Sequence, residues 1–141
     1  MYEEYTHQAL PPKKYRELLG TAICVFNSNN SFIIENILRE DKNKKYSWHD
    51  LIDMTSGKLL KPVEDTITRE AGNEISKLFK ELIAERNRII HSFQITNDKG
   101  EQALCTKYKD GKQKEITEEH IKTFIRKNDS LSSMLHDFRG Y

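Results

Sequence analysis

Apolar residues recur at helical spacing along most of this chain. Tyr15, Leu19, Ala22, Phe26, Ile33 and Ile37 keep one phase at three- and four-residue steps, the pattern of a helix with one buried stripe. The stripe passes without a slip through the polar run Asn27-Ser28-Asn29-Asn30-Ser31. It therefore predicts one long helix rather than two helices and a loop. Pro11 and Pro12 close an extended tail over residues 1–11 and open this helix, because a first turn does not need the N–H that proline lacks. Asp41 to Lys45 form a charged connector, and Ser47 comes next as the N-cap of a short helix bearing Trp48, Leu51 and Ile52. Thr55-Ser56-Gly57 ends that helix, and Pro62 is expected to break the segment around it. A third helix is predicted from about Thr66 to Phe93, with Ile75, Leu78, Phe79, Leu82, Ile83, Ile89, Ile90 and Phe93 as its apolar positions.

The period then changes. Asn97-Asp98-Lys99-Gly100 and Lys109-Asp110-Gly111-Lys112 are turn-like, with Ala103 to Tyr108 between them. Asp-Gly flanked by short strands signals a β-hairpin, placed over residues 94–116. Thr117 caps a last helix carrying Ile121, Phe124, Ile125, Leu131, Leu135 and Phe138. The expected fold class is all-α: a single domain over residues 1–141, a bundle of about four helices with a small β-hairpin inserted before the last.

Composition narrows the function. At 141 residues the chain can bury a core without disulfides or metal. A net charge of +1 argues against a sequence-independent coat on nucleic acid, so any RNA contact must be local. Cys24 and Cys105 stand far apart without metal spacing, as in a reduced cytoplasmic chain. No apolar run approaches the roughly 18 residues of a membrane span. The first residues lack the apolar stretch of a secretory signal. No P-loop, G-x-S-x-G or C-x-x-C is present. His49 and Asp53 are one helical turn apart but have no third ligand nearby in sequence, so no metal and no cofactor is expected. His120, His136 and the lysines at 42–45 and 107–114 read as solvated surface.

One residue does not fit its helix. With Arg86 set at zero and about 100° per residue, Ile75 and Phe93 fall near −20°, Phe79 near +20°, Leu82 near −40° and Ile90 near +40°, all rough positions on the wheel. Arg86 is at the centre of the apolar stripe. Burying its charge alone is costly. Either an acid or carbonyl meets it in the core, or the stripe opens there onto a cleft or subunit interface. Asn87 lies at roughly +100° and His91 at roughly +140°, so the three form a polar wedge that turns outward. Arg88, near 200° by the same estimate, is expected in solvent. Asn30 is in phase with the first helix's stripe and needs partners if buried; Arg86 or His91 could supply one, and a local bend or a satisfied core amide is the plainer account. An arginine offers a permanent cation with a fork of donors that fits phosphate, and a histidine moves protons near neutrality. Together they suit RNA cleavage by the ribose 2′-hydroxyl. A salt-bridged Arg86 and a His91 favoured by the helix C-terminus would account for the same residues without chemistry.

Arg86-Asn87-Arg88-Ile89-Ile90-His91 resembles the R-x4-6-H signature of the HEPN family (higher eukaryotes and prokaryotes nucleotide-binding domains). Many members carry Asn, Asp or His directly after the arginine, and Asn87 fits. The motif's place, late in a long amphipathic helix of a small helical domain, matches as well; sequence detail matches only around residues 75–93. The resemblance implies a helical core that is frequently dimeric, with two motif helices meeting in a composite, metal-independent ribonuclease site that leaves a 2′,3′-cyclic phosphate. It gives His91 the role of general base or acid, Arg86 that of phosphate and transition-state cation, and Asn87 that of a positioning group. It implies RNA as substrate, a homodimer through the Arg86–His91 helix, and toxin or antiviral-defence work, with an antitoxin or other defence protein as partner. The β-hairpin is outside the minimal family core. The competing expectation is a catalytically silent HEPN-like binding module, such as an immunity protein or antitoxin. A scaffold with a purely structural Arg86 is the third.

Overall fold

The computed structural model describes residues 3–140; Met1 and Tyr2 of the expected tail lie outside the described residues. Helix α1 spans Lys13–Glu40, entered from Pro12. It runs unbroken through the asparagine-rich stretch, and the buried amide within that stretch is satisfied by another helix. Asn29, 4% exposed, donates from Nδ2 to the backbone oxygen and Oδ1 of Asn128 at 2.8 and 3.1 Å. Asn128 in turn donates to Phe124 O at 3.0 Å. Asn29, so engaged, does not compete for its own backbone.

Helix α2, Trp48–Asp53, is capped as expected: Ser47 Oγ accepts from Asp50 N at 3.2 Å. Residues 56–71 then wind as one segment, α3, made of a 3-10 turn, an α-turn, a π-turn over Glu64–Thr68 and a last α-turn. Pro62 does not break it. The α-turn opens at Leu60, so proline falls in its first turn, where its missing donor costs little. The Thr66 hydroxyl donates to Pro62 O at 2.7 Å beside the widened turn.

The helix expected from Thr66 to Phe93 is two elements. Gly72, at φ +84°, ends α3 in a conformation that disfavours any side chain, and α4 starts afresh at Glu74–Ile90. The expected hairpin is a three-stranded antiparallel meander. Strand β1, Phe93–Thr96, pairs with β2, Gln102–Lys107, which pairs with β3, Gln113–Ile116. Phe93 lies in phase with the helical stripe and also begins the β-favouring run Phe-Gln-Ile-Thr, which the wheel could not separate. Both turns share one design. Asn97 N–H bonds Glu101 O across one loop and Tyr108 N–H bonds Lys112 O across the other, both at 2.8 Å. Gly100 and Gly111 take the left-handed position at φ +78° and +89°.

Helix α5, Glu118–Arg139, is capped by Thr117 Oγ1, which accepts from His120 N at 3.1 Å. The core is anchored where the Phe26 ring of α1 stacks with Phe79 of α4 and Phe124 of α5, both centroids 6.3 Å away. Tyr15 ties the sheet to α1: its hydroxyl accepts from Leu104 N at 3.0 Å and donates to Ile116 O. That hydroxyl stands between two ladder partners, since Leu104 pairs with Ile116. No helix among the described residues is long and apolar enough to cross a membrane. The chain is thus mostly helical, with a small antiparallel sheet before the last helix.

Candidate functional site

Arg86 lies one turn before the end of α4 and points towards α1. Its guanidinium carbon stands 4.9 Å from the centroid of the Phe26 ring, a cation–π contact worth about 0.5–2 kcal/mol. Nε is buried without a hydrogen-bond partner. Among the described residues, the expected acid does not meet it. Glu85, the adjacent carboxylate, is turned by about 100° on the helix, and its Oε1 binds Lys127 Nζ at 3.1 Å. Lys127 also binds Glu81 at 2.8 Å, and these two carboxylates hold its ammonium above the usual lysine range. Neither an acid nor a carbonyl bonds its Nε, and the outer part of the stripe is uncovered. Ile90, on the same stripe, is 51% exposed and Phe93 is 39% exposed. The inner half of the stripe, at Ile75, Phe79, Leu82 and Ile83, is buried as the wheel requires, and so is Ile89.

His91 is the C-cap of α4, with φ −96° and ψ 17°. Its N–H donates to Asn87 O at 2.9 Å, and the residue is exposed. Asn87 is exposed too. Within one chain Arg86 and His91 diverge by about 140° around the axis, one over Phe26 and the other in solvent. A single copy therefore supplies the parts of the wedge without closing them on a shared cleft. Clefts of about 530 and 390 Å³ lie elsewhere. The larger, beside Tyr15, is lined by Asp98, Glu101, Glu115, Glu118 and Glu119 against the single cation Lys99, and would repel a phosphate.

One neighbouring expectation, a solvated His120, is corrected, and the partners of Asn30 and Arg88 are now defined. The fully buried amide of α1's polar run is Asn29; Asn30 is half-buried, and its Oδ1 accepts from Ser56 Oγ at 2.8 Å rather than from Arg86 or His91. Arg88 is exposed, as expected, and its guanidinium carbon also lies 4.0 Å from the Tyr108 ring centroid, at the turn between β2 and β3. His120 is partly buried in a cleft with Glu85, Lys114 and Thr123, and desolvation and then Lys114 push its imidazole below the usual histidine range, against the pull of Glu85. His136 packs on Phe32, ring centroids 4.7 Å apart. His49 and Asp53 are exposed, and no group of three His, Cys, Asp or Glu side chains able to hold a metal forms among the described residues. No sequence signal marked the Arg88–Tyr108 stack, which joins positions that only the sheet's register brings together.

Comparison of the chain with models of protein families, with curated proteins and with solved structures finds no match.

Proposed function

We propose that this chain is a metal-independent endoribonuclease of HEPN type, built as a homodimer and acting in the cytoplasm as a toxin or antiviral effector. One observation carries the reading. Arg86 is a permanent cation with an unused buried donor and no acid among the described residues to meet it, placed where an apolar stripe opens to solvent. A structural arginine would be tied to a carboxylate. This one is held only by the Phe26 ring, one helical turn from the exposed side chain of Ile90.

Two copies packed through Ile90 of α4 and Phe93 at the start of β1 would bring two arginines and two histidines to one seam. There, His91 of one copy takes the proton from a ribose 2′-hydroxyl as its oxygen attacks phosphorus. Arg86 stabilises the charge that builds on the phosphoryl oxygens. The bond to the 5′-oxygen breaks, and the partner's His91 protonates the leaving oxygen. The products are a 2′,3′-cyclic phosphate and a 5′-hydroxyl. Asn87, one helical turn before His91, positions the phosphate or the ring.

The test is RNA cleavage in EDTA by wild type and His91→Ala. Wild type cleaves and the variant loses at least a hundredfold. Equal cleavage by both, or none by either across several RNAs, would sink the reading. The competing module, an HEPN-like binder without catalysis, draws on the divergence of Arg86 and His91 within one chain. It predicts no cleavage together with tight capture of a partner protein. Light scattering separates them further, because a monomer at micromolar concentration leaves the composite site unassembled.

A further inference from the structure

The four lysines of residues 107–114 carry a net charge of +3 with Asp110, in a chain whose total is +1. The remainder of the protein is therefore net negative, and this loop is a local excess of positive charge. Lys107, Lys109 and Lys112 are exposed there. Asp110, the loop's single acid, folds back so that its Oδ1 accepts from Lys112 N at 3.0 Å. The opposite end of the sheet is the acidic cleft beside Tyr15. The sheet is thus polarised along its strands, basic at one end and acidic at the other.

The basic end is the one next to α4. Pairing of Phe93 with Cys105 sends the end of β2 back towards the C-terminus of α4. The Arg88 guanidinium stacked on Tyr108 fixes that approach. His91 comes three residues after Arg88, on a neighbouring part of the helix surface. The loop therefore stands beside the histidine proposed to move the proton.

We infer that the β2–β3 loop, with Arg88, is the surface that binds single-stranded RNA and leads it to His91. This rests on the ribonuclease reading. Lysines supply phosphate contacts, and a guanidinium layered on a tyrosine ring is a platform on which an unpaired base stacks. An acidic protein would use the lysines but has no need of the ring. The acidic cleft at the far end of the sheet sets the polarity of approach by repelling the strand.

The experiment is fluorescence anisotropy with a labelled, mixed-sequence 12-nucleotide RNA made non-cleavable by 2′-O-methylation. Lys109→Gln with Lys112→Gln weakens binding about tenfold at ~0.1 M salt and lowers the slope of log affinity against log salt by about 1.4, two single-strand phosphates. Tyr108→Leu weakens it severalfold, while Tyr108→Phe, which keeps the ring, binds as wild type. Circular dichroism verifies that each variant is folded.

Equal affinity in wild type and the double variant overturns the inference, as does no saturable binding by wild type. So does binding of polyglutamate through the same lysines without RNA binding, which assigns the loop to an acidic protein. Failure of the catalytic reading has a different signature. Loop-dependent RNA binding without cleavage leaves the surface standing and removes the enzyme. Cleavage in EDTA, measured on the unmodified RNA, that loop variants leave unchanged does the reverse.

Discussion

Replacing Arg86 with methionine separates a functional arginine from a structural one. Methionine keeps an unbranched stem of similar length and removes the guanidinium. The loss is one cation–π contact with Phe26, worth about 0.5–2 kcal/mol. The gain is removal of a buried donor without a partner, Nε, whose desolvation costs about 1–3 kcal/mol. These oppose each other, so Arg86→Met should leave stability within about 1 kcal/mol of wild type or raise it. Breaking a buried ion pair would instead cost about 3–5 kcal/mol. The assay is urea unfolding followed by far-ultraviolet circular dichroism, at two protein concentrations to separate dimer dissociation from unfolding. With a slope of about 1–3 kcal/mol per molar urea, the expected change lowers the midpoint by no more than about 1 M, or raises it. A loss above about 2 kcal/mol at unchanged slope would refute the weighing of these two terms and return Arg86 to the core as a structural group. A stable Arg86→Met protein that no longer cleaves RNA supports its role as transition-state cation.

The sheet's attachment gives a local test: Tyr15→Phe leaves Leu104 N and Ile116 O without their shared hydroxyl, so stability falls by about 1–3 kcal/mol and hydrogen exchange at Leu104 speeds up. Tyr46 donates to Asp65, and burial and then that carboxylate push its phenol up to about 12. Its folded value lies above the ordinary one, so its contribution is complete below about pH 10 and is lost as the pH rises towards 12. Absorbance at 295 nm should show a late-titrating tyrosine that Tyr46→Phe removes; an unchanged titration curve would contradict the contact. Asp65 itself, bound by Tyr46 and then by Lys61 and Lys45, is held far below the usual carboxylate range. Its share of stability is present above the unfolded carboxylate value and is lost as pH falls through the folded one. Nuclear magnetic resonance titration should find it still ionised where exposed aspartates are protonated.

Much of the candidate site was legible in the order of residues alone. The wheel placed Arg86 at the centre of an apolar stripe, and in the fold it lies over the ring of a core phenylalanine. The same wheel could not tell whether an acid or an opening would meet it, because the answer lies with side chains on other elements. It ranked Asn30 as the amide needing partners, yet Asn29 and Asn30 flank the same stripe. Only the position of α5 decides that Asn29 faces Asn128. Exposure of Ile90 depends likewise on where the neighbouring elements stop.

What the sequence determined by itself is what nearby residues decide: the phase of α1 through its asparagines, the Ser47 and Thr117 caps, and the Asp-Gly turn. These rest on hydrogen bonds and packing between residues a few positions apart, so composition and spacing suffice. What only the tertiary structure decided is how distant segments meet. Asn29 and Asn128 are 99 residues apart, and Tyr15 reaches a strand 101 residues away. Such contacts are chosen by the packing of whole elements, with each side chain taking the partner that the assembled core leaves within reach.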